Sequence, residues 1–206
     1  MTVSTEQLYD DASDDWQRSE PILLSDFTAR PFLLEWSEPV RDIDVLDLGC
    51  GEGALTLELA RFARSVVAVD PRPKAVAAAR RRAADTPSVR VVEAPLSPLP
   101  VEAEAFDLVL LSHVLHRVEA PARLLDDART ALRPGGRVLV QELLPHDESW
   151  VRSRLGHTCL GFTPDALETL LTDAGFEDVV TERMPVPADD PFRVLIARGR
   201  RPGGDE

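Results

Sequence analysis

The residues with the most chemistry to offer crowd into one stretch, Val45-Leu-Asp-Leu-Gly-Cys-Gly-Glu-Gly-Ala-Leu. Here Gly49, Gly51 and Gly53 follow an apolar run and precede a helical pattern. Glycines at a strand-to-helix turn permit left-handed backbone and let a ligand touch the main chain. Open α/β sheets bind ligands at that place, beyond the carboxyl ends of their strands. A dinucleotide site spaces its glycines GxGxxG and offers a helix N-terminus to a pyrophosphate. The spacing here is GxGxG, and Asp47 and Glu52 put carboxylates where a phosphate would be repelled. A nicotinamide dehydrogenase fails on both counts, and a ligand that carries cationic groups and no phosphate is favoured. A second apolar run ends in Ala68-Val69-Asp70, with the acid 17 residues after Gly53. Alone, such an acid is an ordinary strand-end cap; beside the glycine loop it can take both hydroxyls of a ribose.

The elements that must position these residues follow from periodicity. Apolar, β-branched runs alternate with helical patterns, the signature of a parallel sheet covered by helices. Strands are expected at Asp44–Leu48, Ser65–Asp70, Val89–Glu93, Asp107–Ser112, Arg137–Glu142, Asp178–Met184 and Phe192–Ala197. Leu55, Leu59, Phe62 and Ala63 fall on one helical face. Ala75–Ala84 and Pro121–Leu132 read as further helices, the second stopped by Pro134-Gly135-Gly136. Thr163-Pro164 supplies an N-cap and a first-turn proline for a helix closed by Gly175. Residues 1–40 form a separate leading segment, acidic with scattered aromatics, expected to pack as helices across the carboxyl edge of the sheet. The main domain is expected over residues 41–198, with a frayed polar tail at 199–206.

The motifs VLDLGCGEG, VVAVD, FDLVLLSHVLHRV and LRPGGRVLV, spanning residues 45–140, resemble the class I S-adenosylmethionine-dependent methyltransferases in order and spacing. The resemblance implies a Rossmann-like α/β fold with a seven-stranded sheet in the order 3-2-1-4-5-7-6, strand seven antiparallel and helices on both faces. It implies S-adenosylmethionine as cofactor, leaving as S-adenosylhomocysteine. Its sulfonium and ammonium suit Asp47 and the loop. Gly49 and Gly51 would face the methionine part, Asp70 the ribose, and Pro71 the adenine. The family often has an Asp shortly after strand three to accept from the adenine amino group. Here Pro95 stands there, leaving its carbonyl and the backbone N–H of Leu96 for the ring. Tyr9, in the segment that lids the cofactor in this family, can bond the methionine carboxylate with Arg18 beside it; the alternative for Tyr9 and Trp16 is plain helix packing. The run LLPHDESWVRSRLGHTCLGFTPDALETLLTDAGF resembles the methyltransferase half of proteins that also carry an ArsR-type winged-helix repressor domain. These 206 residues leave no room for that domain. On this second likeness Trp150 and His157 help to line an acceptor pocket.

Methyl transfer is an in-line displacement at a carbon already activated by the sulfonium, so a protein mainly aligns the nucleophile and excludes water. A general base is needed only where the acceptor brings its proton, as a hydroxyl does. Ser112, His113 and His116 follow strand four, whose carboxyl end faces the methyl group in this fold. His113 is the best-placed base, against the alternative of a histidine that bonds locally and shapes the pocket; His116 is expected to pack beneath the next helix. His146, after strand five, is a second candidate base. His113, Glu142, His146, Asp147 and Glu148 are types that can hold a divalent ion. Asp147 and Glu148 equally suit the first turn of a helix, and no metal is expected.

Composition narrows the partners. Thirty-six acids against 23 basic residues give a net charge of −13, which opposes binding to nucleic acid or an anionic membrane. Lys74 is the only lysine, so the choice between a compositional bias toward arginine and an acidic, salt-adapted surface stays open. Cys50 and Cys159 fit neither a disulfide framework nor a zinc spacing, and they cannot supply the three thiolates of an arsenite site. The opening residues lack the apolar run of a secretory signal, and no apolar stretch reaches the ~18 residues of a membrane span, so a cytoplasmic location is expected. The function expected is methylation of a small molecule at oxygen, nitrogen or carbon. The alternative is a module of the same fold that senses the cofactor or a metabolite without turnover.

Overall fold

The central strands are buried on both faces because consecutive residues through their middles, with the exception of Asp47, are apolar. In a strand these alternate between the two sides. In the computed structural model, which describes residues 42–184 and 192–204, β1 (Asp44–Leu48), β2 (Ser65–Asp70), β3 (Val89–Glu93), β4 (Phe106–Ser112) and β5 (Leu132–Leu143) run parallel. β6 (Glu177–Arg183) and β7 (Val194–Arg200) complete the sheet, with β7 antiparallel to both of its neighbours. The order is β3-β2-β1-β4-β5-β7-β6, as the resemblance implies. Leu46, Leu48, Val109 and Leu111 point to one side, where Leu124, Leu125 and Ala128 of α3 (Pro121–Ala131) and Leu167 and Leu171 of α5 (Pro164–Asp173) cover them. Val45, Val66, Leu108 and Leu110 point to the other, against Leu59 of α1 (Ala54–Leu59). The remaining helices are α2 (Pro73–Arg82) and the short α4 (Trp150–Leu155). Among the described residues no helix is long and apolar enough to cross a membrane.

Several expected boundaries move. The first three strands fall where the apolar runs predict them, but β5 begins at Leu132. Pro134-Gly135-Gly136 therefore lies inside a strand rather than behind a helix. The helix ends at Ala131 because Arg133 precedes proline and is driven extended, and Gly135 and Gly136 then bond the main chain of Arg201. The helical face proposed through Phe62 also breaks. α1 stops at Leu59, Ala63 still packs on the core, and Phe62 is 40% exposed. Thr163 caps α5 as expected, its hydroxyl accepting from the Ala166 N–H at 3.2 Å. The polar tail starts later than residue 199. Gly199 and Arg200 belong to β7, and Arg201 donates to the Leu132 carbonyl and, at 2.7 Å, to Glu104. The leading segment with Tyr9, Trp16 and Arg18 lies outside the described residues.

Candidate active site

The glycine loop is tied to the neighbouring strand. Gly49 and Cys50 donate their N–H groups to the Val69 carbonyl at 2.7 and 3.2 Å. Gly49, Gly51 and Gly53 have φ of 71°, 57° and 80°, a region that other residues enter at a cost. At Gly49 an added Cβ would also stand 2.5 Å from Val114 Cγ2, so the loop and the end of β4 require this glycine together. Gly51 carries the link to the acid: its N–H donates to Asp70 Oδ2 at 2.9 Å, and Asp70 is 1% exposed. The two motifs read separately from the sequence are one hydrogen-bonded unit.

Asp47 and Glu52 take different parts from those their position suggests. Asp47 is buried behind the loop and accepts from the Thr56 hydroxyl at 2.5 Å, fastening the loop to α1. Burial pushes its carboxyl up to about 6, with the Thr56 bond opposing and the Asp70 charge adding. Glu52 turns outward to Arg82, 2.7 Å away, so the negative character of the loop comes from Asp47 and Asp70. Pro71 is exposed beside Asp70. The Ala94 N–H reaches the Asp70 carbonyl at 3.3 Å, which brings the segment holding exposed Pro95 and half-buried Leu96 alongside. The sequence reading passed over Arg72, whose guanidinium lies on Asp70 with Nε–Oδ1 at 3.0 Å and Nη2–Oδ2 at 3.1 Å. An arginine two residues past the acid was the available signal.

At the carboxyl ends of β4 and β5 the chain's four histidines gather, a grouping that no sequence spacing announces. His113 has φ 56° and donates its N–H to the Gln141 carbonyl at 2.8 Å. Its ring Nε2 lies 2.8 Å from Gln141 Nε2, while the buried Nδ1 has no hydrogen-bond partner among the described residues. His116 is wholly buried. Its Nδ1–H donates to Glu142 Oε2 at 2.7 Å, and Arg117 Nε donates to its Nε2 at 3.3 Å, so neither nitrogen remains for a substrate. Glu142 also accepts from the N–H groups of Leu115 at 2.6 Å, His116 at 3.3 Å and Leu143 at 3.1 Å. It is a buried staple for the loop after β4. His113, Glu142, His146, Asp147 and Glu148, types able to hold a divalent ion, form no group that could hold one among the described residues. Asp147 and Glu148 precede α4 rather than opening it, and Glu148 Oε2 accepts from Trp150 Nε1 at 2.6 Å. His157 packs on His116, ring centroids 4.2 Å apart, with both nitrogens buried and without a hydrogen-bond partner among the described residues. His146 accepts at Nδ1 from the Glu148 N–H at 3.3 Å and its ring meets Phe192 edge-on. Ser112 Oγ approaches Gln141 Oε1 at 3.5 Å.

Burial holds His113 down at about 4 and His157 at about 2, and lowers His146 as well. This has a consequence for stability. In the unfolded chain these imidazoles titrate near 6.5, so between 6.5 and 4 the unfolded state binds more protons and stability falls as pH falls. Asp47, raised from 3.8 to about 6, works in the opposite direction over part of that window. Three depressed imidazoles outweigh one raised carboxyl. Urea titrations are expected to show a loss on the order of 1–3 kcal/mol between pH 6.5 and 4. A flat profile would mean that these rings are solvated.

A sheet of this order, with a buried strand-end acid bonded to a three-glycine loop, marks the fold. The fold is that of class I S-adenosylmethionine-dependent methyltransferases. The methyltransferase domain family matches residues 46–140. The chain is 35% identical over 123 residues to an uncharacterised methyltransferase of Mycobacterium tuberculosis, an alignment covering 59% of this chain and 49% of that one. The chain thus spans about half the length of that relative. Among solved structures, a phosphoethanolamine N-methyltransferase of Haemonchus contortus in complex with S-adenosylhomocysteine superposes with a TM-score of 0.78 at 18% identity. It covers 98% of this chain and 61% of that one. The [4+2]-cyclase SpnF superposes at 0.75 with 20% identity, covering 92% and 83%.

Proposed function

We propose that this protein transfers a methyl group from S-adenosylmethionine to a small-molecule acceptor through an oxygen, nitrogen or carbon nucleophile. The observation that carries the reading is the Asp70 carboxylate, buried and bonded to the Gly51 N–H within a loop of three left-handed glycines. The residue types suit the cofactor: Gly49 and Gly51 would face the methionine part, Asp70 the ribose hydroxyls once its Arg72 side-chain contacts give way, and Pro71, Pro95 and Leu96 the adenine. Bound there, the sulfonium supplies a methyl carbon ready for displacement. The chain's own contribution is to hold that carbon against the end of β4, near Ser112 and His113, and to keep water from it. The net charge of −13 favours a small acceptor over a nucleic acid. The likeness of the segment after β5 to the repressor-fusion methyltransferases belongs to the same proposal, with Trp150 and His157 lining the acceptor side.

Calorimetry tests the reading. S-adenosylhomocysteine is expected to bind and NAD not to. Asp70→Ala is expected to lose about 1.5–3 kcal/mol of that affinity, the range for hydrogen bonds to a charged group. Equal binding of NAD, or unchanged affinity in a folded Asp70→Ala protein, would sink it. A second reading, a binding module without turnover, draws support from the shared fold of a [4+2]-cyclase. Cofactor binding with no conversion to S-adenosylhomocysteine across an acceptor panel would favour it.

A further inference from the structure

The acid that the proposed cofactor needs is already fully engaged. Asp70 Oδ1 accepts from the Arg72 N–H at 2.9 Å and from Arg72 Nε at 3.0 Å. Its Oδ2 accepts from the Gly51 N–H at 2.9 Å and from Arg72 Nη2 at 3.1 Å. Four N–H donors meet two oxygens, which fills the lone-pair positions of a carboxylate. The Gly51 and Arg72 main-chain bonds belong to the loop framework. The two guanidinium bonds take up one acceptor position on each oxygen, the positions that a pair of donating hydroxyls would need. The guanidinium also covers Gly51: a Cβ built on that glycine would meet Arg72 Nη2 at 3.5 Å.

The backbone holds this arrangement in place. Arg72 lies between Pro71 and Pro73, and Pro73 opens α2. A residue before proline is kept extended, and Arg72 has φ −91° and ψ 113°. Its Cα is therefore fixed beside the end of β2, and only rotation about the side-chain bonds can move the guanidinium. Such movement is open to it, because the Arg72 side chain is 41% exposed while Asp70 is 1% exposed.

We propose that Arg72 is an internal competitor for the ribose site: its forked guanidinium imitates the paired hydroxyls on Asp70, and S-adenosylmethionine binds only by displacing it. This rests on the methyltransferase reading above. The pair then lowers cofactor affinity by whatever it contributes to the stability of the free protein. A bidentate arginine–carboxylate pair is stronger than a point-charge contact, but its exposed face limits the effect. Lysine keeps the charge without the fork and releases the acid more readily.

The test is calorimetric binding of S-adenosylhomocysteine to wild type, Arg72→Ala and Arg72→Lys, with the thermal midpoint of each protein measured without ligand. Arg72→Ala is expected to bind roughly three- to tenfold more tightly, Arg72→Lys between the two, and the ligand-free midpoint of Arg72→Ala to fall. In an Asp70→Ala background the same substitution is expected to bring no tightening, since the competition runs through that carboxylate. Unchanged or weaker binding by Arg72→Ala, beside measurable binding by wild type, overturns this inference and leaves the methyltransferase reading standing. Tightening that persists in the Asp70→Ala background also overturns it. Absence of binding in wild type and both variants overturns the methyltransferase reading, and the inference with it.

Discussion

Replacing His113 by alanine is expected to cut turnover of a hydroxyl-bearing acceptor by roughly 10²–10⁴, the contribution typical of general acid–base catalysis, with affinity for S-adenosylhomocysteine nearly intact. His113 follows β4 directly, its backbone left-handed with its main-chain N–H bonded to the Gln141 carbonyl, and its buried ring Nδ1 has no hydrogen-bond partner among the described residues. Strain of this kind persists where the surrounding structure enforces it. Gln141 decides what Nδ1 can do. With the amide N–H on His113 Nε2 the ring proton sits on Nδ1. With the amide turned over, its oxygen accepts from Nε2–H and Nδ1 becomes the base. The contact from Ser112 Oγ to Gln141 Oε1, 3.5 Å, opposes that turn only weakly. The unperturbed imidazole value suggested by sequence alone places titration near neutrality. Burial moves it to about 4, so the base form is populated from about pH 5 upward and activity is expected to rise with pH through about 4. His113→Gln keeps hydrogen bonding but cannot take the proton, and is expected to be almost as slow as alanine. Near-wild-type turnover in that variant would remove His113 from the mechanism and leave alignment, or His146, to explain the rate.

Glu142→Ala is expected to destabilise the protein by about 3–5 kcal/mol, since four buried donors lose their acceptor at ~1–3 kcal/mol each and the loop relaxes in part. The substitution strands His116 Nδ1–H and, with it, the N–H groups of Leu115, His116 and Leu143. Burial opposes ionisation of Glu142, yet His116 and the Leu143 N–H hold its carboxyl below the usual range. Glu142→Gln keeps the shape and one acceptor oxygen and is expected to fold with a smaller loss, about 1–3 kcal/mol. Urea unfolding of both variants checks the order. Equal, sub-kilocalorie losses would mean that water satisfies the loop after β4. Adding His116→Phe to Glu142→Ala is expected to bring little recovery, because the backbone donors remain orphaned. Glu142 therefore acts on His113 at a distance: it fixes Leu115 and His116, and so the turn that aims the residue two positions earlier.

The sheet was legible because its signal is local. Continuous, short apolar runs with β-branched residues, such as Val66–Val69 and Leu108–Leu111, read as strands buried on both faces, and three of the seven strands begin and end where the sequence places them. The glycine loop and Asp70 were legible for the same reason: backbone that must be left-handed and an acid at a strand end leave marks within a few residues. Boundaries were lost where a partner far along the chain decides them. Leu132–Gly136 is strand because β4 and the Arg201 main chain bond it, and Gly199 and Arg200 stay in β7 because β5 and β6 flank them.

What the sequence determined by itself is the class of the fold, the loop and the acid, all written in short-range patterns of polarity and conformational freedom. Tertiary structure alone decided which charges meet. It sent Glu52 out to Arg82, buried Asp47 on Thr56 and laid Arg72 across Asp70. It joined His116 to Glu142, 26 residues apart, so that one histidine became framework while His113 kept a nitrogen unspent. Side-chain pairing depends on distances and burial that exist only once the sheet has closed, because a carboxylate or an imidazole takes its pKa and its partner from its surroundings rather than from its neighbours in sequence.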